Sequence, residues 1–166
     1  MNESYKELLV KKERDIKQKL ARVLCLVPTV LIGFFTLITG NIILFIVTVA
    51  LGVLDYFVFQ WTDIEYEYLY LDKEITIDKI MAKTRRKRAC VIDVGKIEIL
   101  APVNSHQLDS YRNRQVKTLD YSAGNDLPEQ KLYAAYYEGN QKYQLNLTED
   151  FVKTIRGIIP RKVFMD

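Results

Sequence analysis

The sequence holds a single histidine, two cysteines, four prolines and seven glycines, and each scarcity removes a class of function. One imidazole and two widely separated thiols do not make a zinc set, and the acids follow no calcium-loop spacing, so no metal site is expected. His106 stands in a polar stretch without a Gly-x-Ser-x-Gly elbow or a neighbouring cysteine, so no nucleophile with an adjacent base can be assembled from the motifs present. The glycines form neither a phosphate-binding loop nor a dinucleotide fingerprint. No catalytic residue, cofactor or small-molecule substrate is expected, and an enzyme is the least favoured class. The net charge of +3 is small for a nucleic-acid binder, whose basic surplus is larger and gathered on one surface. Cys25 falls in an apolar block and Cys90 in a basic one, so both are read as free thiols in a reducing compartment.

What the chain has in quantity is that apolar block, residues 23–59, almost free of charge between flanks rich in lysine, arginine and acids. Residues 23–39, VLCLVPTVLIGFFTLIT, make a run of about seventeen residues, roughly 25 Å as a helix and just long enough to cross a bilayer. Gly40 and Asn41 break it, and residues 42–61, IILFIVTVALGVLDYFVFQW, supply a second span of about twenty. Neither run carries the polar stripe that a water-facing helix needs. About twenty polar residues precede the first run, which argues against a cleavable signal peptide. Lysines and arginines flank the outer ends of both spans and none lies in the connecting turn, so both termini are expected in the cytoplasm of a two-span protein of the cell membrane.

Within the block, Pro28 removes one backbone donor and predicts a modest kink. Tyr56, Phe59 and Trp61 suit the aromatic belt at the interface. Asp55 lies about four residues inside the second span, where an ionisable group is costly and a functional role is the default. Its expected role is pairing, with Arg22 as the partner, or an oligomer contact; an ion or proton pathway is the sharper alternative.

Residues 1–22 contain neither proline nor glycine after Met1, with Tyr5, Leu8, Leu9, Ile16 and Leu20 scattered among charges. They are read as a cytoplasmic helical arm continuing into the first span.

After Trp61 the period changes to two. Tyr66, Tyr68 and Tyr70 alternate with Glu65, Glu67 and Leu69, predicting a strand at 64–71. Asp72 and Lys73 make a turn, and strands are expected at 74–81, 89–94 and 96–103 as a meander. A polar stretch at 104–114 with a short helix at 106–111 precedes strands at 116–122, 131–137 and 141–147, the last two joined at Gly139 and Asn140. Thr148 caps a final helix that carries Glu149 and Asp150 in its first turn, lines one face with Phe151, Ile155 and Ile158, and ends at Pro160. The many tyrosines are expected in the core rather than as a stacking platform.

The stretch YEYLYLDKEITIDKIMAKTRRKRACVIDVGKIEIL, residues 66–100, resembles the bacterial pleckstrin-homology-like domains of small membrane proteins, and the likeness extends over about residues 63–160. It implies an α+β membrane protein: an N-terminal helix running into a two-helix transmembrane hairpin at 23–61, then a roughly seven-stranded antiparallel PH-like barrel or sandwich with one C-terminal helix at 62–166. That family has no invariant catalytic or binding motif, so no residue role follows from the resemblance.

One cluster invites a binding role. Lys83, Arg85, Arg86, Lys87 and Arg88 fall in a single expected connection, where several cations together can hold anionic lipid or a protein partner; a solvated turn that discourages edge pairing is the plainer reading. The chain is therefore expected to be a membrane-anchored interaction or scaffold module, with the bilayer and a protein partner or second copy as its contacts. An accessory subunit of a transporter or channel, assembled through Asp55, is the alternative.

Overall fold

The computed structural model describes residues 5–165; residues 1–4 and 166, which open the expected arm and close the expected domain, lie outside the described residues. The chain divides into a hairpin unit, Arg14–Ile64 with Met81–Arg85, and a β-rich unit built from the remainder.

The hairpin unit contains α1 (Ile16–Thr39) and α2 (Ile42–Thr62). Asp15 starts α1 as an N-cap, its side chain accepting from Ile16 N, while the Gln18 side chain reaches back to the Asp15 N–H. That reciprocal arrangement satisfies donors that a helix start otherwise leaves open. Gly40 ends α1 at φ 61, a left-handed conformation that glycine adopts without a Cβ penalty, and donates its N–H to Thr36 O. Asn41 then caps α2 through Ile43 N. The first helix starts seven residues before the expected span, at Ile16 rather than 23, so residues 16–22 do extend it. The second matches its expected bounds to within one residue.

Burial along the hairpin is periodic. Arg22, Cys25, Thr29, Ile32 and Thr36 on α1, and Leu44, Thr48, Leu51, Asp55, Val58 and Thr62 on α2, are half-buried or buried and follow a three-and-four spacing. This is the seam of two antiparallel helices. Gly33 faces α2 across this seam, where a Cβ would meet Thr48 Cγ2 at 3.4 Å, an ordinary van der Waals contact. Away from the seam the Leu, Ile, Val and Phe side chains stand exposed, and only 6% of each apolar window is buried. Both helices are long and apolar enough to cross a membrane.

In the β-rich unit, β1 (Lys6–Lys11), β2 (Ile64–Leu71), β3 (Glu74–Met81) and β4 (Arg85–Asp93) form one sheet in that order. This corrects the expected helical arm: residues 6–11 form a strand, antiparallel to β2, with Lys11 opposite Glu65 and Val10 opposite Tyr66. The lysines, glutamate and leucines of this segment favour a helix locally, and pairing with a strand far along the chain overrides them. The second sheet holds β5 (Ile97–Pro102), β6 (Lys117–Asp120), β7 (Lys131–Tyr137) and β8 (Gln141–Leu147) in the order β5-β7-β8-β6. The described chain therefore has eight strands in two sheets of four, where about seven in a barrel or sandwich were expected. β5 leaves the expected meander through a 3-10 turn at Val94–Lys96 and pairs with β7, and β6 runs parallel to β8. The β7–β8 turn has its left-handed residues at Glu138 and Gly139, one position before the expected pair.

Tyr68, Ile75, Ile77 and Ile92 of the first sheet and Leu145 and Leu147 of the second are fully buried, together with Val152 and Ile155 of the capping helix α4 (Glu149–Ile158). The Tyr70 and Phe151 rings meet edge to face at 6.3 Å. The opposite face of β5 and β7 buries Ile99, Ala101, Ala134 and Tyr136 beneath Leu108 and Tyr111. The long connection, with its 3-10 turn His106–Leu108 and the single turn of α3 (Asp109–Arg112), thus covers a second small core.

Candidate functional site

The basic cluster is not one turn. Only residues 82–84 form the β3–β4 connection, with Ala82 and Lys83 left-handed at φ 47 and 56, and Arg85 to Arg88 open strand β4. β4 is an edge strand, where charged side chains remain solvated and discourage further pairing. Within the hairpin unit, Ala82 N–H donates to Asp63 O at 2.8 Å, which ties this turn to the end of α2.

The five cations divide by partner. Arg86 donates to the Glu67 carboxylate, and its Nε also lies 3.9 Å from Asp78 Oδ2. Arg88 Nε lies 3.9 Å from Asp78 Oδ1. Both acids are buried, Glu67 at 5% and Asp78 at 7% exposure. Burial pushes the Glu67 carboxyl above its ordinary range, and Arg86 opposes that shift. These two arginines therefore neutralise acids on the outward face of the first sheet. Lys83, Arg85 and Lys87 are exposed and carry no ion pair among the described residues, so their charge is available to an external anion. The sequence reading missed Glu67 and Asp78 as partners. Their signal was alternation: an acid opposite three tyrosines on a half-buried strand needs a cation on the outer face.

The hairpin seam carries polar layers at seven-residue intervals, Arg22, Thr29 and Thr36 on α1 and Thr48, Asp55 and Thr62 on α2. The Thr36 and Thr48 hydroxyls meet at 3.2 Å. Arg22 bonds the Thr62 hydroxyl and Phe59 O, and its guanidinium lies 4.5 Å from the Phe59 ring centroid. Arg14 and Asp63 close the base with an ion pair of 2.8 Å. The expected Arg22–Asp55 pair does not form. Asp55 lies two helical turns, roughly 10 Å, before Thr62 in α2, and Thr62 is the residue that Arg22 reaches. Counting seven from the contacts on either side puts Thr29 level with Asp55, yet the Thr29 hydroxyl donates to Cys25 O at 3.0 Å. Asp55 is 9% exposed, and its Oδ1 is buried without a hydrogen-bond partner among the described residues.

The tyrosines pack as core: Tyr66, Tyr68, Tyr133 and Tyr136 are buried, and the Tyr66 and Tyr121 rings meet edge to face at 5.5 Å. Burial pushes the Cys90 thiol up to about 11, against a smaller opposing effect of the Tyr121 hydroxyl, so it stays protonated and weakly nucleophilic. A cavity of about 370 Å³ in the β-rich unit is lined by Glu129, Lys131, Tyr133 and Glu149 among others, and none of the expected site residues borders it.

The family model described as Bacterial PH-like domain (DUF6106) matches residues 2–165, a span that takes in the hairpin as well as both sheets. No curated protein and no solved structure matches the chain. The matched span takes in paired sheets, a capping helix and an apolar hairpin that lies between the first two strands in the chain, and the chain belongs to the bacterial PH-like domain family.

Proposed function

We propose that this chain is a two-span integral membrane protein that holds a PH-like interaction module at the cytoplasmic face and has no enzymatic activity of its own. The observation that carries the reading is the antiparallel pairing of β1 with β2. These strands flank the hairpin in the chain, so both ends of the hairpin emerge on one side of a bilayer. The lysines and arginines beside those ends favour the cytoplasm for that side. The exposed apolar surface of α1 and α2 far exceeds what a soluble monomer leaves in water, which supports lipid as its cover.

The module's external contact is the unpaired set Lys83, Arg85 and Lys87, at a turn bonded to the end of α2. Each cation near an anionic leaflet contributes on the order of 1 kcal/mol, so three hold the turn against such a surface and leave the sheets free for a protein partner.

Impermeant maleimide labelling of intact and lysed cells tests the topology. On a background with Cys25 and Cys90 replaced, Asn41→Cys is expected to react from outside, and Asn113→Cys only after lysis. Labelling of Asn113→Cys in intact cells would reverse the orientation.

A further inference from the structure

The hairpin has an acceptor that nothing on the hairpin answers. A carboxylate in hydrocarbon without a donor is unfavourable by several kcal/mol, and ionisable residues inside membrane segments almost always face a partner. The hydroxyl and guanidinium donors of the seam are committed elsewhere. Thr29 bonds Cys25 O, Thr48 bonds Leu44 O and the Thr36 hydroxyl, Thr62 bonds Val58 O, and Arg22 bonds Thr62 and Phe59 O. On the facing helix, Pro28 has no N–H to give to the Leu24 carbonyl, which leaves a second acceptor short of its usual donor at a neighbouring depth.

From this we infer that Asp55 is the docking point for a transmembrane helix of a partner protein, one that brings a lysine or arginine to the α1–α2 seam. A basic side chain supplies both the donor and the counter-charge that the carboxylate lacks. Neutral hydroxyls would return only a hydrogen bond, and a second copy of this chain presents its own cation, Arg22, already bonded. The inference rests on the membrane-spanning reading above and adds an occupant to it.

The test uses the full chain, fluorescently labelled at its N-terminus and reconstituted into phosphatidylcholine vesicles. The probes are two acceptor-labelled polyleucine spans, one with a single lysine at the depth of Asp55 and one with leucine there. Energy transfer is expected to report at least tenfold tighter association of the lysine peptide. That preference is expected to survive Asp55→Glu and to vanish in Asp55→Leu, with the isosteric Asp55→Asn lowering it should the leucine variant fail to insert. Equal association of both peptides, a preference that persists in Asp55→Leu, or one that emerges only when Thr29→Val removes the neighbouring hydroxyl would overturn the inference. Self-quenching between labelled copies of the chain that competes with transfer to the peptide would overturn it in favour of self-association. Failure of the wild-type chain to float with the vesicles would instead overturn the membrane reading itself.

Discussion

Lys11 and Glu65 face one another across the β1–β2 ladder, Nζ 3.9 Å from Oε1, although the whole apolar hairpin lies between them in the chain. The hairpin is thus an insertion between two neighbouring strands, and the first sheet is complete only when chain from both sides of it has met. β1 is therefore part of the domain rather than an arm.

Val10, fully buried opposite Tyr66, measures that dependence. Val10→Ala is expected to destabilise the β-rich unit by about 2 kcal/mol through lost methyl burial and a residual cavity. Leu9→Ala, on the half-exposed outer face, is expected to stay within roughly 0.5 kcal/mol. Denaturant unfolding of the full chain in detergent, followed by near-ultraviolet circular dichroism of the tyrosines, distinguishes the two. Equal effects would argue against β1 pairing in this register.

The free cations predict a different readout. Lys83 and Lys87 are expected to be protected from amine acetylation in vesicles containing anionic lipid, relative to phosphatidylcholine vesicles, and Lys117 is expected to react equally in both. Three cations at on the order of 1 kcal/mol each correspond to about a hundredfold shift toward the docked turn. High salt is expected to remove the protection, since the Debye length falls to about 3 Å at 1 M. Acetylation indifferent to lipid charge would leave the turn as a solvated connection.

Arg86 belongs to the other set, and its removal leaves Glu67 buried without its closest counter-charge. Arg86→Ala is expected to cost about 2 kcal/mol at neutral pH, less than a fully buried pair because the arginine is half exposed. The sign of the pH dependence follows from the direction of the Glu67 shift. Its carboxyl titrates above its ordinary range in the fold, so the unfolded chain loses that proton first as pH rises and native stability falls through that window. Below the ordinary carboxylate range both states hold the proton and the penalty is absent. The deficit of Arg86→Ala is thus expected to shrink as pH is lowered toward about 4.5, while Lys87→Ala stays within roughly 0.5 kcal/mol throughout. Thermal unfolding across that range checks both.

Legibility followed the range of the forces involved. The hairpin was readable because hydropathy is a property of each residue in turn, and α4 because Thr148 accepts from Phe151 N only three positions away. The tyrosine alternation at 66, 68 and 70 located β2 for the same reason. β1 was hidden because its partner lies beyond the hairpin and its own composition favours a helix. The parallel pairing of β6 with β8, and the departure of β5 to the second sheet, are likewise contacts between distant segments that no local pattern encodes. Asp55 stood out as the one acid in the block, yet its partner was misassigned to Arg22. The seven-residue spacing of Arg22, Thr29 and Thr36 against Thr48, Asp55 and Thr62 was present in the sequence and would have set the layers correctly.

That layering can be tested directly near the α1–α2 turn, where the Thr36 and Thr48 hydroxyls meet at 3.2 Å and Gly33 faces Thr48 with room for little more than a Cβ. A disulfide needs Cβ atoms about 3.5–4.5 Å apart, so two side chains whose γ atoms already touch are well placed to form one. On a background lacking Cys25 and Cys90, the pair Thr36→Cys and Thr48→Cys is expected to crosslink within one chain on mild oxidation in vesicles. The control pair Leu37→Cys and Thr48→Cys is expected not to, because Leu37 is among the most exposed residues of α1 and points away from the seam. Gly33→Leu, which places bulk against Thr48, is expected to suppress the crosslink by forcing the helices apart. Equal crosslinking of both pairs, read by a gel shift after blocking free thiols, would mean that the helices rotate against one another and that the seam holding Asp55 is not fixed.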